Sequence, residues 1–347
     1  MTTSSPRRVV VADDSALMRQ IVANSLKRAG FDVVGTAADG DQALALCERE
    51  KPDAMTLDLA MPGLDGLGVL RKLKENRGPS LPVVVVSAFS PSQGARAVDA
   101  LAEGAFDLVA KPSAGELDGF SEVLAAKVKI AADSGVGRRV ANGANGRLKP
   151  PAPRPVRRGR TSRVVVIATS TGGPRALAAL VPKLPSPLGS GTLIVQHMPP
   201  GFTGSLAARL DRASKLQVVE AQGNEVLDPG VALLAPGGSH LRLSADGRTT
   251  LSDEAEIGGL RPRADLTIKD AARLYRDRLL LVVLTGMGSD GLEGATDVRK
   301  YGGRILAESQ ESCTVYGMPR AVVEANLADD VMDLDKLAAA IAQEAGS

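Results

Sequence analysis

The stretch RVVVIATSTGGPRAL, residues 163–177, joins a β-branched apolar run to small and hydroxylic residues, two glycines and a helix-like run. This order predicts a buried strand, a tight turn and the first turn of a helix. Such a turn can hold a phosphate at the helix N-terminus. It can also lift a serine nucleophile clear of a sheet edge. The stretch therefore predicts an α/β domain and leaves two kinds of site open.

The same alternation of apolar runs and helical patterns fills most of the chain. Before residue 131 five strand–helix units are predicted, and after residue 162 four further buried strands and four helices are predicted. Several strands lack a polar face, as expected for parallel strands covered by helices on both sides. Residues 215–252 differ, since short runs and many turns predict a β-hairpin insertion or an antiparallel edge. We therefore expect two doubly wound α/β domains with parallel sheets, the second with a β-hairpin insertion.

The segment between the two halves has a different composition. Residues 131–163 contain nine Lys or Arg, one acid and many Gly, Ala and Pro. This composition cannot bury a core, so it predicts a flexible, solvated linker. The expected organisation is a first domain at 1–130, a basic linker at 131–162 and a second domain at 163–347. A nucleic-acid or acidic-partner tail is the alternative. Because the chain has no Trp and few aromatic residues to stack on bases, we expect no nucleic-acid partner.

Length and composition exclude several classes of protein. The 347 residues are enough for two domains, and no apolar run is long enough to span a bilayer. The N-terminus has a short apolar run that ends in two aspartates, which is not a secretory signal. Cys47 and Cys313 lie far apart in the sequence and cannot form a disulfide framework or a zinc cluster. We expect a cytoplasmic protein that is not inserted into a membrane.

Polar side chains follow the predicted strands of the N-terminal half. In doubly wound sheets, functional groups collect at the carboxyl ends of the strands. The groups at these ends are three acids, a hydroxyl and a lysine: Asp13, Asp14, Asp58, Ser87 and Lys111. Crowded carboxylates repel one another without a cation, and their oxygens suit Mg²⁺. The hydroxyl and the ammonium could receive a phosphoryl group placed on a carboxylate.

This group resembles the response-regulator receiver domain over about residues 7–131. The resemblance implies a Mg²⁺ site made by three carboxylates, Asp13, Asp14 and Asp58. It also implies that Asp58, in LDLAMPGLDG, takes a phosphoryl group from a histidine kinase, and that Ser87 and Lys111 form the phosphoryl switch. One position departs from the pattern, because Leu108 occupies the aromatic switch position three residues before the lysine.

The turn after the strand in residues 163–177 lacks the motifs of a phosphate site. A dinucleotide cradle needs G-x-G-x-x-G and an acid after the second strand. The turn here is S-T-G-G, and the next strand is followed by His197, one of only two histidines. Asp290 follows the later strand LLLVVL. Ser170, His197 and Asp290 at the ends of strands of one sheet would have triad geometry. A packed histidine and a turn aspartate are the alternative, and the residues alone leave both open.

Six motifs of the C-terminal half resemble the catalytic domain of the chemotaxis protein-glutamate methylesterases. They are IATSTGGP, VQHMPPGFTGSLAARL, LLAPGGSHL, GLRPRAD, VLTGMGSDG and SCTVYGMPRAV, in uninterrupted order from about residue 163. The resemblance implies that Ser170 is the nucleophile, His197 the base and Asp290 the orienting acid.

The same resemblance implies three residues near the reacting groups. The oxyanion would meet backbone N–H groups near Thr171 and Met287, and His240 in APGGSH would lie near the substrate cleft. Gly172 and Gly173 are expected to leave space for a helix that carries the ester. These expectations concern the surroundings of the triad and not its chemistry.

The implied reaction is hydrolysis of γ-glutamyl methyl esters on the cytoplasmic helices of chemoreceptors, to glutamate and methanol. No cofactor is expected for it, and an unphosphorylated receiver is expected to cover the cleft. Some members of the family also deamidate glutamine, so this reaction stays open. Two alternatives also stay open: a methylesterase that serves a non-chemotactic signalling array, and a response regulator whose output is a non-enzymatic binding module.

Overall fold

The computed structural model describes residues 5–75, 81–88, 91–112, 117–140 and 162–346 of the chain. The chain divides into two compact units, residues 1–147 and residues 148–347. Each unit is an α/β domain built around a parallel sheet. None of the helices in the described ranges has the length and apolar character needed to cross a membrane.

The first unit has a five-stranded sheet in its described part. Its strands are β1 Arg8–Ala12, β2 Asp32–Ala37, β3 Ala54–Leu57, β4 Val83–Ser87 and β5 Asp107–Ala110. Its helices are α1 Ala16–Arg28, α2 Gly40–Glu50, α3 Gly66–Glu75, α4 Pro91–Glu103 and α5 Leu117–Val140. All strand pairs are parallel, in the order β2-β1-β3-β4-β5. The order reverses beside β1, which opens a crevice at the carboxyl ends of β1 and β3.

The last helix of the first unit reaches into the segment predicted to be the linker. α5 continues to Val140, and Ala131 and Ala132 are fully buried. An apolar face packs this part of the helix onto the unit, and the basic composition of the segment does not reveal that face. The rest of the predicted linker, residues 141–161, lies outside the described residues.

The second unit has a seven-stranded sheet in its described part. Its strands are β6 Val164–Thr169, β7 Thr192–Gln196, β8 Gln217–Glu220, β9 Val231–Leu234, β12 Leu279–Val283, β13 Arg304–Glu308 and β14 Asp330–Met332, and a separate pair is β10 His240–Leu243 and β11 Thr249–Ser252. Its helices are α6 Gly173–Leu180, α7 Thr203–Ala213, α8 Ala264–Tyr275, α9 Leu292–Lys300, α10 Met318–Glu324 and α11 Leu334–Ala345. The order is β14-β13-β12-β6-β7-β9-β8, and every pair in this sheet is parallel.

The predicted hairpin is confirmed, but it is smaller than expected. Among the named strands of the described residues, β10 and β11 are the pair that is antiparallel. β8 and β9 instead extend the main sheet in parallel beside β7, so this edge is not antiparallel. Three of the four β9 residues are buried without alternation, which is typical of a strand covered on both faces.

The centre of the second sheet positions the groups that follow its strands. β6 lies between β12 and β7, and all residues of these three strands are buried. The register pairs Thr169 with Gln196 and Ala168 with Val283. The three strands therefore end at nearly the same level, and the residues that follow them meet at one edge.

Candidate functional site

The three residues predicted to form a triad lie at this edge of the second sheet. Ser170 follows the last residue of β6, and His197 follows the last residue of β7. Asp290 lies on the loop between β12 and α9. The fold therefore brings Asp290 to the same edge as His197, although the two residues are 93 positions apart in the chain.

His197 and Asp290 form a buried hydrogen-bonded pair. His197 Nε2 lies 2.7 Å from Asp290 Oδ2, and the side chains are 6% and 1% exposed. Asp290 also accepts hydrogen bonds from the backbone N–H groups of Ala264 at 2.7 Å, Asp265 at 3.0 Å and Gly291 at 2.9 Å. Burial alone would raise the pKa of Asp290, but the contacts with His197 and Asp265 outweigh it and hold this pKa well below its usual range. Asp290 is therefore an ionised acceptor that fixes the imidazole ring.

The other ring nitrogen of His197 is the one left to act as a base. Nδ1 is buried and has no hydrogen-bond partner among the described residues. Because Nε2 donates to Asp290, the lone pair of the neutral ring lies on Nδ1. No hydrogen bond joins Ser170 Oγ to this nitrogen in the described part of the chain. Catalytic hydrogen bonds are often formed only when the substrate is bound.

The backbone around Ser170 is held by its neighbours on both sides. Ser170 N donates to Thr285 O at 3.0 Å, and Gln196 Nε2 donates to Ser170 O at 2.9 Å. Gln196 Nε2 also donates to His197 O at 2.9 Å, so one amide connects the backbones of both predicted catalytic residues. Thr285 in turn donates its hydroxyl to Thr171 O at 2.9 Å and its N–H to Glu308 Oε2 at 2.8 Å. The turn is thus fixed by buried groups of three other strand ends.

The two glycines of the turn, Gly172 and Gly173, pack directly against side chains of the same domain. A Cβ on Gly172, whose φ is +79°, would lie 2.4 Å from Thr314, and one on Gly173 would lie 2.0 Å from Gln196 Oε1. Both contacts are far inside van der Waals range, so larger residues cannot fit without displacing these side chains. The expectation that the two glycines leave space for a substrate helix was therefore wrong. They allow the turn to pack against its own chain.

The three residues predicted to lie near the reacting groups, Thr171, Met287 and His240, differ in how far they are exposed to solvent. Thr171 is buried directly after Ser170, whereas Met287 is 40% exposed on the loop that follows β12. His240 is fully buried, accepts from Arg263 N at 3.2 Å through Nδ1 and donates to Ala255 O at 3.3 Å through Nε2. Both its ring nitrogens are therefore engaged within the protein.

Several residues that contact the site were not identified from the sequence. They are the side chains that hold the turn and the acid: Gln196, Arg263, Asp265, Thr285 and Glu308. Glu308 has no solvent exposure, and burial raises its pKa despite hydrogen bonds from Thr285 N and Ser312 Oγ. A signal was present for some of them, because Arg263, Asp265 and Thr285 lie within motifs quoted above. Their roles depend on contacts that sequence spacing does not reveal.

In the first unit, the predicted phosphorylation residues meet at the carboxyl ends of β1, β3 and β5. Lys111 Nζ lies 2.8 Å from both Asp13 Oδ2 and Asp58 Oδ2. Asp13, Asp14 and Asp58 each offer an oxygen, and these oxygens lie within 4.8 Å of one another. Ser87 is fully buried, and its hydroxyl has no hydrogen-bond partner among the described residues. Carboxylate oxygens at this spacing fit Mg²⁺, and the unpartnered hydroxyl fits a phosphoryl oxygen.

The position expected to hold an aromatic switch is part of the core. Leu108 lies on β5, is 2% exposed and pairs in register with Val85 of β4. Phe106 is also buried, just before the strand. A leucine fixed in the sheet has no ring that could turn between the core and the surface.

Comparisons with known proteins identify the families to which the two units are similar. Family models for the CheB methylesterase and for the response regulator receiver domain match residues 165–341 and residues 9–118. A protein-glutamate methylesterase/protein-glutamine glutaminase of Symbiobacterium thermophilum is 41% identical, over 98% of both chains. A protein of the same description from Myxococcus xanthus is 42% identical, again over 98% of both chains. The crystal structure of the Thermotoga maritima CheB methylesterase catalytic domain is 44% identical and covers 53% of this chain and 98% of its own, with a TM-score of 0.51. The chain belongs to the CheB methylesterase family and carries a response regulator receiver domain at its N-terminal end.

Proposed function

We propose that this protein is a phosphorylation-regulated serine esterase that hydrolyses γ-glutamyl methyl esters on chemoreceptors. The observation that carries the proposal is the buried 2.7 Å contact between His197 Nε2 and Asp290 Oδ2, beside the strand that ends just before Ser170. The names of the relatives supply the substrate class, a methylated glutamate side chain in a protein. Such substrates on cytoplasmic receptor helices would place the enzyme in the cytoplasm.

The reaction begins when Ser170 Oγ attacks the ester carbonyl and His197 Nδ1 takes the serine proton. Asp290 accepts from Nε2–H throughout, so it holds the tautomer and stabilises the imidazolium that forms. The imidazolium returns the proton to the leaving oxygen, and methanol departs. Water then attacks the acyl-enzyme with the same base, which releases glutamate and restores Ser170. The chain itself supplies the nucleophile, the base and the acid, so the proposal includes no cofactor for this reaction.

The oxyanion of the intermediate would be met from two sides of Ser170. Thr171 follows the nucleophile at the start of the turn into α6. Met287 follows Gly286, and Gly286 lies so close to Ser170 that a Cβ placed on the glycine would be 2.9 Å from Ser170 Cβ. We propose that backbone N–H groups at Thr171 and Met287 donate to the oxyanion. Loss of one such donor costs about 3 to 4 kcal/mol of transition-state stabilisation in other enzymes.

The receiver domain would control this activity. We propose that Asp58 accepts a phosphoryl group from a histidine kinase, with Lys111 and Ser87 contacting the phosphoryl oxygens. Mg²⁺, held by the carboxylates Asp13, Asp14 and Asp58, would offset their crowded negative charge. The phosphoryl group adds about −1.5 to −2 charges. It can shift the equilibrium between an inhibited and an active arrangement of the two domains only if the two arrangements make different contacts with the phosphoryl group. We propose that the unphosphorylated domain inhibits the esterase.

Hydrolysis of receptor glutamine amides is a second candidate activity of the same site. The relatives are named protein-glutamine glutaminases as well as methylesterases. An amide passes through the same acyl-enzyme, and ammonia leaves in place of methanol. Release of ammonia from unmodified receptors would distinguish this activity from ester hydrolysis.

Methanol release from methylated receptor membranes tests the proposal. We expect the wild-type chain to release methanol, a small phosphodonor to increase the rate, and Ser170→Ala to abolish it. A variant at a half-buried serine of α7, Ser205→Ala, is not expected to change the rate. If Ser170→Ala releases methanol as fast as wild type, the esterase mechanism is wrong. If wild type releases none, the alternative with a binding output gains support. Methylated receptors from a non-chemotactic array test the other alternative.

A further inference from the structure

A second buried carboxylate lies next to Asp290 at the start of α8. Asp265 is 1% exposed. Its Oδ1 accepts from Gly291 N at 3.0 Å and from Gly294 N at 2.7 Å. Asp290 Oδ1 accepts from the same Gly291 N at 2.9 Å, so the two carboxylates share one N–H donor. They are therefore close enough to interact strongly in a region that water does not reach.

One guanidinium serves both carboxylates. An Arg263 terminal nitrogen lies 2.9 Å from Asp265 Oδ2, and Arg263 Nε lies 3.4 Å from Asp290 Oδ1. With a neutral His197 imidazole the group carries two negative charges and one positive charge. Protonation of the imidazole makes the group neutral. With a neutral imidazole the group has a net charge of −1. This negative charge favours the imidazolium form of His197, which arises when His197 takes the proton of Ser170.

The other charged groups packed around α8 are paired with one another. Lys269 of α8 contacts Glu293 of α9, and Arg242 of β10 contacts Asp270 of α8. His240 of β10 uses both ring nitrogens in backbone hydrogen bonds. Glu293 also interacts electrostatically with Arg263 and Asp290. The charged and titratable groups that can act on His197 are therefore Arg263, Asp265 and Asp290, with Glu293 at the edge of this set.

We propose that Asp265 is a positioning residue of the esterase, which holds the Asp290 loop and, through Arg263 and Asp290, stabilises the protonated imidazole of His197. The proposal rests on the proposed function, because it assigns Asp265 a part in the proton transfer from Ser170. The other interpretation is purely structural: Asp265 caps the start of α9 by accepting from Gly291 and Gly294. The two interpretations differ in whether the negative charge of Asp265 matters.

The surroundings of Asp265 disfavour the ionised form of its carboxyl group. Burial raises the pKa of this carboxyl, and the negative charge of Asp290 raises it further, against the hydrogen bonds from Gly294 N and Arg263. The same carboxylate raises the proton affinity of any base coupled to it.

Titration of His197 by nuclear magnetic resonance tests the proposal on the full chain. The chain has two histidines, so ring-labelled histidine gives two sets of signals, which His197→Gln assigns. Asp265→Asn keeps the shape and one acceptor oxygen but removes the charge. We expect it to lower the pKa of His197 by about one unit. Arg263→Gln removes the opposing charge and should shift the same pKa upward.

A matched control comes from the same helix. Asp270 is also buried on α8 and paired with an arginine, so Asp270→Asn should move the His197 titration much less than Asp265→Asn does. The proposal is overturned if neither Asp265→Asn nor Arg263→Gln shifts His197, or if Asp270→Asn shifts it equally. If Asp265→Asn does not fold, the direction of the Arg263→Gln shift decides.

The kinetic readout separates this proposal from the proposed function. In Asp265→Asn we expect the acid limb of the kcat/KM profile for methanol release to move to lower pH, with KM unchanged. An unchanged acid limb together with wild-type methanol release overturns the role of Asp265 and leaves the esterase intact. Absence of release from wild type refutes the esterase, whereas the titration still reports on the charge coupling.

Discussion

Gln196 Nε2 lies 2.9 Å from the carbonyl oxygen of Ser170 and so joins the ends of β6 and β7 at the site. Its amide makes an equal contact with His197 O, and the side chain is almost completely buried. One side chain therefore links the backbones of Ser170 and His197, in addition to the hydrogen bond from Ser170 N to Thr285 O. Such support matters because misplacement by about 1 Å can reduce turnover by about 100-fold.

Replacement of Gln196 by leucine is expected to reduce both stability and turnover. The leucine fills the space but leaves the carbonyls of Ser170 and His197 without this donor. We expect a loss of about 1 to 3 kcal/mol in the free energy of unfolding and a fall of about 10- to 100-fold in kcat for methanol release. Gln217→Leu, on the exposed start of β8, is the control and should change neither quantity. Wild-type kcat in Gln196→Leu would show that the amide does not position the pair.

Asp290→Asn is expected to reduce kcat for methanol release by about 10⁴-fold, by analogy with other triads. The amide removes the negative charge that stabilises the imidazolium, and its NH₂ group can favour the wrong tautomer of His197. Asp335→Asn, on the exposed face of α11, serves as the control for the loss of a carboxylate elsewhere. A residual rate within about tenfold of wild type would remove Asp290 from the triad.

The fold, and the meeting of Ser170, His197 and Asp290 at one edge of the sheet, could be predicted from the sequence because both follow from the strands. Buried apolar runs define where β6, β7 and β12 end, and parallel strands bring those ends to one edge. The sequence could not order the strands in the sheet, so it did not reveal that β6 lies between the other two. It also missed β14, since three half-buried residues carry no clear periodic signal.

The supporting residues were missed for a different reason. Asp265 contacts Asp290 from the start of a helix, and Gln196 contacts Ser170 from the end of the neighbouring strand. Both contacts exist only in the folded chain. The roles of the glycines were misinterpreted because the sequence does not show whether a glycine lies against a ligand or against another part of the same chain. Gly172 and Gly173 face Thr314 and Gln196.

The two cysteines are expected to react slowly with thiol reagents in the folded protein at about pH 8. Burial raises the pKa of Cys47 to about 11, so about one thiol in a thousand is ionised at that pH. Burial also raises the pKa of Cys313, and the negative charge of Glu308 adds to the effect. The measurement is the rate of reaction with a disulfide reagent such as Ellman's reagent, with and without denaturant. Both thiols should react rapidly only after unfolding, and fast reaction of either in the native chain would contradict the burial described here.

Mg²⁺ is expected to stabilise the full chain against heat more strongly at about pH 7.5 than at about pH 5. Burial raises the pKa of Asp13, the negative charge of Asp58 adds to this effect, and contacts with Lys111 oppose it. The proton therefore competes for the Asp13 carboxylate at a higher pH in the folded chain than in the unfolded chain, and metal binding weakens as the pH falls. The measurement is the shift in the midpoint of the Mg²⁺-sensitive unfolding transition at the two pH values. Asp58→Asn should reduce this shift, whereas Asp32→Asn, at an exposed position of β2, should preserve it. An equal shift at both pH values, or a full shift in Asp58→Asn, would rule out these carboxylates as the metal site.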